Sequence, residues 1–240
     1  MQIDAQIYLV IDLGNTEIKF AFYRNHLLYS GRGFDALTET LLAYKYKHAL
    51  VASVAKEDQL QRLKSIIPEF HLLDANSKLP IQNNYSTPHS LGQDRLANAV
   101  AVAHLSGKKA ALAIDVGTCL KFDFVDANGA YCGGSIAPGL RMRFKSLHQF
   151  TANLPLIETW EPSENFIGDN TKNSIVSGVL NGMTNEINET IKRYGKYNEN
   201  LTIYLTGGDA EHFENAIKYP IFADSNLTLL GLRLILETNV

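Results

Sequence analysis

Two short acidic motifs, each placed directly after an apolar run, divide this chain into matching halves. The first motif reads Asp-Leu-Gly-Asn-Thr at residues 12–16, and the second reads Asp-Val-Gly-Thr at residues 115–118. When one gap is allowed, residues 11–22 align on residues 114–124 with identical or similar residue types at most positions. The match indicates an internal duplication.

The spacing of the motifs, about a hundred residues, is too long for a solenoid repeat, whose period is about 20–50 residues. We therefore expect two similar domains, residues 1–107 and residues 108–240, separated at the small polar break 106–108. Ligands often bind in the cleft between two such domains. In that arrangement, Asp12 and Asp115 face each other across the cleft.

Hydrophobic periodicity predicts that both halves begin with three strands joined by short turns, as an antiparallel meander allows. In the first half, a helix, a strand, a helix and a strand follow. Residues 74–90 lack periodicity and are longer than most loops of compact domains, which is typical of a functional loop. The sequence also predicts helices over residues 94–105, 170–194, 211–218 and 227–237.

The motif Asp-x-Gly-x-Thr carries groups that suit phosphate binding. Its glycine lets the chain turn sharply, so that backbone N–H groups and the threonine hydroxyl converge on a phosphate oxygen. Its aspartate supplies an oxygen ligand for a cation. A single copy is weak evidence, because a strand followed by Asp-x-Gly is also an ordinary turn. Two matched copies instead favour an ion-mediated clamp on a nucleotide polyphosphate.

Two other nucleotide-binding motifs fit the sequence less well. The Gly-Lys pairs at residues 107–108 and 195–196 lack the following Ser or Thr of a P-loop. Residues 31–36 match the dinucleotide fingerprint, with alanine in the last place. That fingerprint requires an acid about 20 residues later, at the end of the next strand, where this chain has Ser-Val-Ala at 53–55. We therefore interpret the glycines as turn residues, which leaves a dinucleotide-dependent oxidoreductase as the weakest hypothesis.

Composition argues against several classes of partner. The chain has 22 Lys and Arg against 25 Asp and Glu, a balance that offers no positive field for nucleic acid or an anionic membrane. No segment is apolar for long enough to predict a membrane span. The two cysteines, Cys119 and Cys132, are too few for a disulfide framework and lack metal-ligand spacing. We therefore expect reduced thiols and a cytoplasmic protein.

Several motifs occur together in an order that identifies a family resemblance. They are Asp-Leu-Gly-Asn-Thr at 12–16, Gly-Gln-Asp-Arg at 92–95, Asp-Val-Gly-Thr at 115–118, Gly-Gly-Ser-Ile-Ala-Pro-Gly-Leu at 133–140 and Thr-Gly-Gly-Asp at 206–209. In this order the chain resembles the type III pantothenate kinases over nearly its whole length. The Asp-x-Gly and Thr-Gly-Gly motifs are shared by a wider superfamily, whereas Gly-x-Asp-Arg and Gly-Gly-x-Ile-x-Pro-Gly are much more specific.

The resemblance implies an α/β fold of two duplicated ribonuclease-H-like domains, each a mixed β-sheet flanked by helices, as in actin, sugar kinases, acetate kinase and heat-shock ATPases. The implied ATP-binding residues are Asp12, Leu13, Gly14, Asn15, Thr16, Glu17, Ile18, Lys19 and Thr118 at the phosphates, with Thr206, Gly207 and Gly208 at the adenosine. The resemblance also implies Mg²⁺ and a monovalent cation, K⁺ or NH₄⁺, with Asp115 at the monovalent site.

For the acceptor, the resemblance implies a pantothenate pocket lined by Tyr85, Gly92, Gln93, Asp94, Arg95 and Thr171. Asp94 is the implied base for the attacking primary hydroxyl, and Arg95 suits an acceptor carboxylate because a guanidinium binds carboxylates bidentately. The implied reaction is ATP-dependent phosphorylation of pantothenate to 4'-phosphopantothenate, the first step of coenzyme A biosynthesis, by a homodimer. Another small-molecule kinase and a non-catalytic nucleotide-binding regulator remain open as alternatives.

Each acceptor-side residue also has an ordinary structural interpretation. Asp94 can be an acid favoured by the dipole at a helix N-terminus. Tyr85 can be a loop aromatic that packs on the core, and Thr171 can simply lie near the start of its helix.

The chain departs from the family pattern directly after its second acidic motif. Residues 119–121 are Cys-Leu-Lys, where the common pattern has a small residue and two threonines. This leaves open the cation shell at Asp115 and the role of Asp123. If the Lys121 ammonium reaches the same site, we expect a weaker dependence on the monovalent cation.

Overall fold

The computed structural model describes residues 6–14, 17–107, 109–160 and 166–240, which form two five-stranded sheets and their flanking helices. The strands are β1 (Tyr8–Leu13), β2 (Ile18–Tyr23), β3 (Leu27–Arg32), β4 (His48–Ser53), β5 (His71–Leu72), β6 (Ala111–Val116), β7 (Cys119–Val125), β8 (Tyr131–Pro138), β9 (Thr202–Thr206) and β10 (Phe222–Ala223). The α-helices are α1 (Phe34–Ala43), α2 (Glu57–Ile66), α3 (Gln93–Ser106), α4 (Leu140–Gln149), α5 (Thr171–Gly195) and α6 (Leu227–Asn239).

The two sheets repeat one strand order. The first sheet runs β3-β2-β1-β4-β5, and the second runs β8-β7-β6-β9-β10. In the first, β1 pairs antiparallel with β2 and parallel with β4; in the second, β6 pairs parallel with β9. The expected α/β fold of two similar halves, each built on a mixed sheet, is therefore confirmed.

The first sheet buries apolar side chains on both faces, because successive side chains of a strand point to opposite sides. On one face, Ile11 packs in a cluster with Leu37 of α1 and Leu63 of α2. On the other, Val10 packs in a cluster with residues of α3 and α6. Asp12, two residues after Val10, lies on the α3 and α6 side.

The second sheet packs its even-numbered β6 and β7 residues against α4 and α5. Ile114 and Phe122 share a core cluster with Phe144 of α4 and Met183 of α5. Asp115 therefore projects from the opposite face of the sheet, by the same alternation.

Two segments, Val125–Gly133 and Asn226–Val240, belong to the first compact unit although both lie in the second half of the sequence. The first unit comprises Met1–Lys108, Val125–Gly133 and Asn226–Val240, and the second comprises Lys109–Phe124 and Gly134–Ser225. The expected division put residues 226–240 with the second half. The physical reason for the difference is the apolar face of α6, whose buried residues cluster with strands β1 and β4 and with helix α3.

The segment 211–218, predicted as a helix, instead forms two 3₁₀ turns, Ala210–His212 and Glu214–Ala216. The side chain of Asn188 on α5 donates to the Ala216 carbonyl at 3.0 Å and accepts from the Lys218 N–H at 2.8 Å. These tertiary bonds engage the backbone groups that a continuous helix would use. No helix among the described residues is both long and apolar enough to span a bilayer.

Candidate active site

The first acidic motif closes a tight hairpin between β1 and β2. The Gly14 N–H donates to the Glu17 carbonyl at 3.0 Å, and Asp12 lies directly opposite Lys19 in the antiparallel register. A Cβ on residue 14 would lie 3.1 Å from that carbonyl, so the turn favours glycine. The predicted ligands Asn15 and Thr16 lie outside the described residues.

Of the other residues predicted at the first motif, Leu13 and Ile18 are buried. Glu17 is exposed, and its Oε2 lies 3.4 Å from the Arg32 guanidinium. A pocket of about 500 Å³ lies beside the hairpin and is lined by Leu13, Glu17, Ile18, Arg32, Gly33, Phe34, Asp58, Gln59 and Arg62.

The second acidic motif forms the equivalent hairpin between β6 and β7, with the Gly117 N–H donating to the Cys119 carbonyl at 3.1 Å. Asp115 is nearly buried, with 8% of its surface exposed. The parallel register of β6 and β9 places it beside Thr206. Residues of the predicted cation and adenosine sites are therefore neighbours at the carboxyl ends of two adjacent strands.

Two glycines allow other segments to approach this second hairpin closely. A Cβ on Gly139 would lie 2.2 Å from the Gly117 carbonyl oxygen, and the Gly139 N–H donates to the Thr118 carbonyl at 3.2 Å. Gly207 has a φ of +107°, and a Cβ there would lie 2.3 Å from the Val116 oxygen. Steric contact therefore requires glycine at residue 139 of the Gly-Gly-x-Ile-x-Pro-Gly motif and at residue 207 of the Thr-Gly-Gly motif.

The carboxylate of Asp115 forms an ion pair within its own sheet. Its Oδ2 lies 2.7 Å from the Lys121 ammonium, and the two side chains are only 12% and 14% exposed, respectively. Asp123, two residues further along β7, is 1% exposed. Lys121 therefore contacts the predicted cation ligand itself.

On the acceptor side, Gln93 holds the start of α3 at the ends of two strands. Its Oε1 accepts from the Ser53 N–H at 2.7 Å, and its Nε2 donates to the Leu73 carbonyl. Both polar ends of this amide are therefore bound to the backbone, at the last residue of β4 and at the residue directly after β5. Gln93 was predicted to line the substrate pocket, and its two hydrogen bonds fix the start of α3, where Asp94 is the next residue.

Asp94 and Arg95 occupy the first turn of α3. Asp94 Oδ1 accepts from the Arg95 N–H at 2.9 Å, and it would lie 2.7 Å from a Cβ on Gly92. The Arg95 side chain is buried, with 4% of the residue exposed, and its Cζ lies 5.6 Å from the centre of the Tyr85 ring. The structure thus brings Tyr85, Gly92, Asp94 and Arg95 together.

Tyr85 is held by its loop and by the start of β8. Its ring stacks on Tyr131 at a centroid distance of 5.9 Å, and its N–H donates to Asn83 Oδ1 at 3.0 Å. Tyr131 also exchanges backbone hydrogen bonds with this loop through Gln82 and Asn84. Sequence reasoning did not select Tyr131, because nothing in the local pattern signals a contact with residues almost fifty positions earlier.

Thr171, the remaining residue predicted on the acceptor side, belongs to the second compact unit. It is the first residue of α5, and it is exposed. The preceding residue, Asn170, caps the helix by accepting from the Asn173 N–H at 3.0 Å.

The duplicated sheets, each with an acidic glycine hairpin after its first strand, define the two-domain fold of sugar kinases and actin-like ATPases. A Campylobacter jejuni protein described as a conserved Baf family transcriptional activator aligns with a TM-score of 0.60 and 20% identity, over 96% of this chain and 98% of its own. An inorganic polyphosphate/ATP-glucomannokinase from Arthrobacter sp. strain KM aligns with a TM-score of 0.51 and 13% identity, over 98% of both chains. At such identities, the likeness shows the fold alone.

Sequence comparison narrows this class to one family. The family model for type III pantothenate kinase matches residues 8–193. A protein of Christiangramia forsetii named type III pantothenate kinase is 42% identical to this chain, and the alignment covers 96% of this chain and 98% of the relative. The chain belongs to the type III pantothenate kinase family.

Proposed function

We propose that this chain transfers the γ-phosphoryl group of ATP to the primary hydroxyl of pantothenate, giving ADP and 4'-phosphopantothenate, the first step of coenzyme A biosynthesis. The observation that carries the proposal is the first turn of α3, where Asp94 precedes the buried Arg95 in a chain of this family. A carboxylate beside a guanidinium suits an acceptor that has both a hydroxyl to deprotonate and a carboxylate to bind.

In the proposed acceptor site, Asp94 accepts the hydroxyl proton as the hydroxyl oxygen bonds to the γ-phosphorus and the bond from that phosphorus to the ADP oxygen breaks. The N-terminus of α3 favours the charged form of this carboxylate, because the helix dipole is positive there. Arg95 pairs with the pantothenate carboxylate, and Tyr85 packs beside it. Phosphoryl transfer depends mainly on positioning and charge neutralisation, so one base is sufficient.

In the proposed donor site, the two hairpins hold the phosphates through backbone N–H groups, Lys19 and Thr118, while Thr206, Gly207 and Gly208 flank the adenosine. Asp12 would hold Mg²⁺. The described residues offer no cluster of three or more His, Cys, Asp or Glu for a metal, and Mg²⁺ bound with a nucleotide commonly uses one or two carboxylates, substrate phosphates and water. When bound, Mg²⁺ neutralises charge on the phosphates.

The monovalent cation, K⁺ or NH₄⁺, fits this chain less well than Mg²⁺ does. The carboxylate implied as its ligand, Asp115, already pairs with the Lys121 ammonium at 2.7 Å. The resemblance implies a requirement for added K⁺ or NH₄⁺, and no part of the proposed reaction depends on it.

We also propose that the enzyme is a cytoplasmic homodimer without nucleic-acid or membrane partners. Both cysteines are free thiols, as a reducing compartment favours. Phe150, Phe166 and Ile167 of the second unit are 80%, 72% and 82% exposed, and exposed large apolar side chains are typical of a subunit contact. Light scattering coupled to size exclusion tests the dimer, and a monomer at micromolar concentration would contradict it.

The function is tested by ADP release with ATP, Mg²⁺, KCl and a panel of acceptors: pantothenate, an N-alkyl pantothenamide, pantoate, glucose and glycerol. We expect turnover with pantothenate, and a ³¹P spectrum of a phosphate monoester on the primary hydroxyl. Arg95→Met should raise KM for pantothenate more than for the pantothenamide, which lacks the carboxylate. Turnover with a sugar alone would favour another small-molecule kinase, and nucleotide binding without turnover would favour a regulator.

A further inference from the structure

The ion pair between Asp115 and Lys121 is built into the strand register of the second sheet. The Gly117 N–H donates to the Cys119 carbonyl, so these two residues pair at the turn of the hairpin. The residue before Gly117, Val116, therefore lies opposite the residue after Cys119, Leu120. One residue further from the turn, Asp115 lies opposite Lys121. Directly opposed residues of an antiparallel pair carry side chains on the same face, and the ammonium meets the carboxylate at 2.7 Å.

This pair lies where its charges are poorly screened. Leu120 and Phe122 on either side of Lys121 belong to the hydrophobic core, so the lysine points to the opposite face. The Asp115 and Lys121 side chains are 12% and 14% exposed. Charges this far from solvent are screened much less by salt than surface charges are.

The Lys121 ammonium has the charge and the chemistry of the monovalent cation that the resemblance implies at Asp115. Ammonium is one of the two implied cations, and a primary ammonium on a side chain is its alkylated form. Because the tether holds it beside the carboxylate, its effective concentration is in the millimolar range or above. A free cation must compete with this tethered one for the same oxygen.

We infer that the Lys121 ammonium supplies at Asp115 the positive charge expected from K⁺ or NH₄⁺, so that this kinase works with Mg²⁺ and without added monovalent cation. Lys121 is a positioning residue, since it acts by neutralising and orienting Asp115. The expected turnover without added monovalent cation rests on the proposed function. The expected absence of K⁺ binding at Asp115 is independent of that function.

Thermal unfolding tests cation binding independently of activity. Melting temperatures of the full chain are compared in KCl and in tetramethylammonium chloride at equal ionic strength. We expect no difference for the unaltered chain. In Lys121→Thr, where the carboxylate has lost its ammonium, K⁺ at about ten times its dissociation constant should raise the melting temperature by about 3–5 °C.

The matched control is Lys145→Thr, which removes an exposed lysine of α4 and should behave as the unaltered chain. If Lys121→Thr does not fold, Lys121→Met keeps most of the side-chain stem and takes its place. A K⁺-dependent rise in the unaltered chain, or no rise in either folded Lys121 variant, would overturn the inference.

ADP release with pantothenate then tests the consequence. We expect equal turnover of the unaltered chain in both salts, and at least a tenfold loss for Lys121→Thr in tetramethylammonium that K⁺ restores. A tenfold loss for the unaltered chain without K⁺ would show that Lys121 does not replace the cation. If no variant turns over pantothenate, the proposed function fails, and the melting experiment still decides the role of Lys121.

Discussion

Gln93 illustrates how one side chain can determine where a catalytic group lies. Its amide bridges the last residue of β4 and the residue after β5, so α3 must begin at the carboxyl ends of these strands. Asp94 is the next residue, and its Oδ1 is held by the Arg95 N–H. The proposed base and the guanidinium are therefore positioned by backbone geometry before any ligand binds, which reduces the ordering required on binding.

The role of Asp94 as a base predicts that Asp94→Asn lowers kcat by about 10²–10⁴-fold while leaving ATP affinity within about twofold. The amide keeps the size of the side chain but cannot accept the hydroxyl proton. Steady-state kinetics and a nucleotide-binding titration measure the two effects.

The control for this substitution is Asp35→Asn, which removes another first-turn helical acid, on α1, whose side chain is 96% exposed. It should leave kcat unchanged. Near-normal turnover of Asp94→Asn would exclude Asp94 as the base.

At the scale of elements, α6 depends on one close contact with α3. A Cβ on Gly231 would lie 1.8 Å from the Ala97 carbonyl oxygen. The backbone of α6 therefore packs directly against the backbone of α3 at this glycine. Nearby, Thr228 Oγ1 donates to the buried Asn98 Oδ1 at 2.8 Å. The helix pair therefore combines close backbone packing with a buried polar bond.

We predict that Gly231→Ala destabilises the fold by about 1–3 kcal/mol, because the added methyl group overpacks a helix contact. Urea unfolding followed by circular dichroism measures the loss. Gly182→Ala on α5 is the matched control: nothing lies within 4 Å of its added Cβ, so it should stabilise by up to about 1 kcal/mol through helix propensity. Equal effects of the two substitutions would contradict the close contact.

At the scale of the whole molecule, the chain completes its first compact unit with its last helix. Residues Asn226–Val240 belong to the first compact unit, whereas the segment before them, Gly134–Ser225, belongs to the second. The buried α6 residues Leu229, Leu232 and Leu236 share a cluster with Val10 and Leu50. The first sheet thus lacks one part of its core until the C-terminal helix is present.

A chain that ends at Ser225 should therefore lose cooperative unfolding of the first unit and bind a hydrophobic dye, because the surface that covers Val10 and Leu50 is gone. Calorimetry and dye fluorescence measure these effects. Adding a peptide of residues 224–240 in trans should reverse them at sufficient concentration. Unfolding of the shortened chain at an unchanged midpoint would show that α6 does not complete this core.

Local pattern in the sequence was enough to predict most elements of this protein. The start of α6 at Leu227 agrees with the predicted helix over residues 227–237, because helical spacing depends on neighbouring residues. The duplication predicted the repeated strand order for the same reason, since similar local sequences form similar hairpins.

Tertiary structure decided which elements meet and what the polar side chains contact. The hydrogen bond from Thr228 to Asn98 spans 130 positions of the sequence, and the one between Gln93 and Ser53 spans 40. Neither bond can be predicted from the pattern of neighbouring residues. The segment 211–218 has a helical pattern, yet bonds from Asn188 divide it into two turns. The sequence determined that two acidic hairpins, their matched lysines and an Asp-Arg pair exist. Only packing decided that α6 completes the first sheet, because the contact of α6 with β1 and β4 depends on how elements far apart in the chain pack together in space.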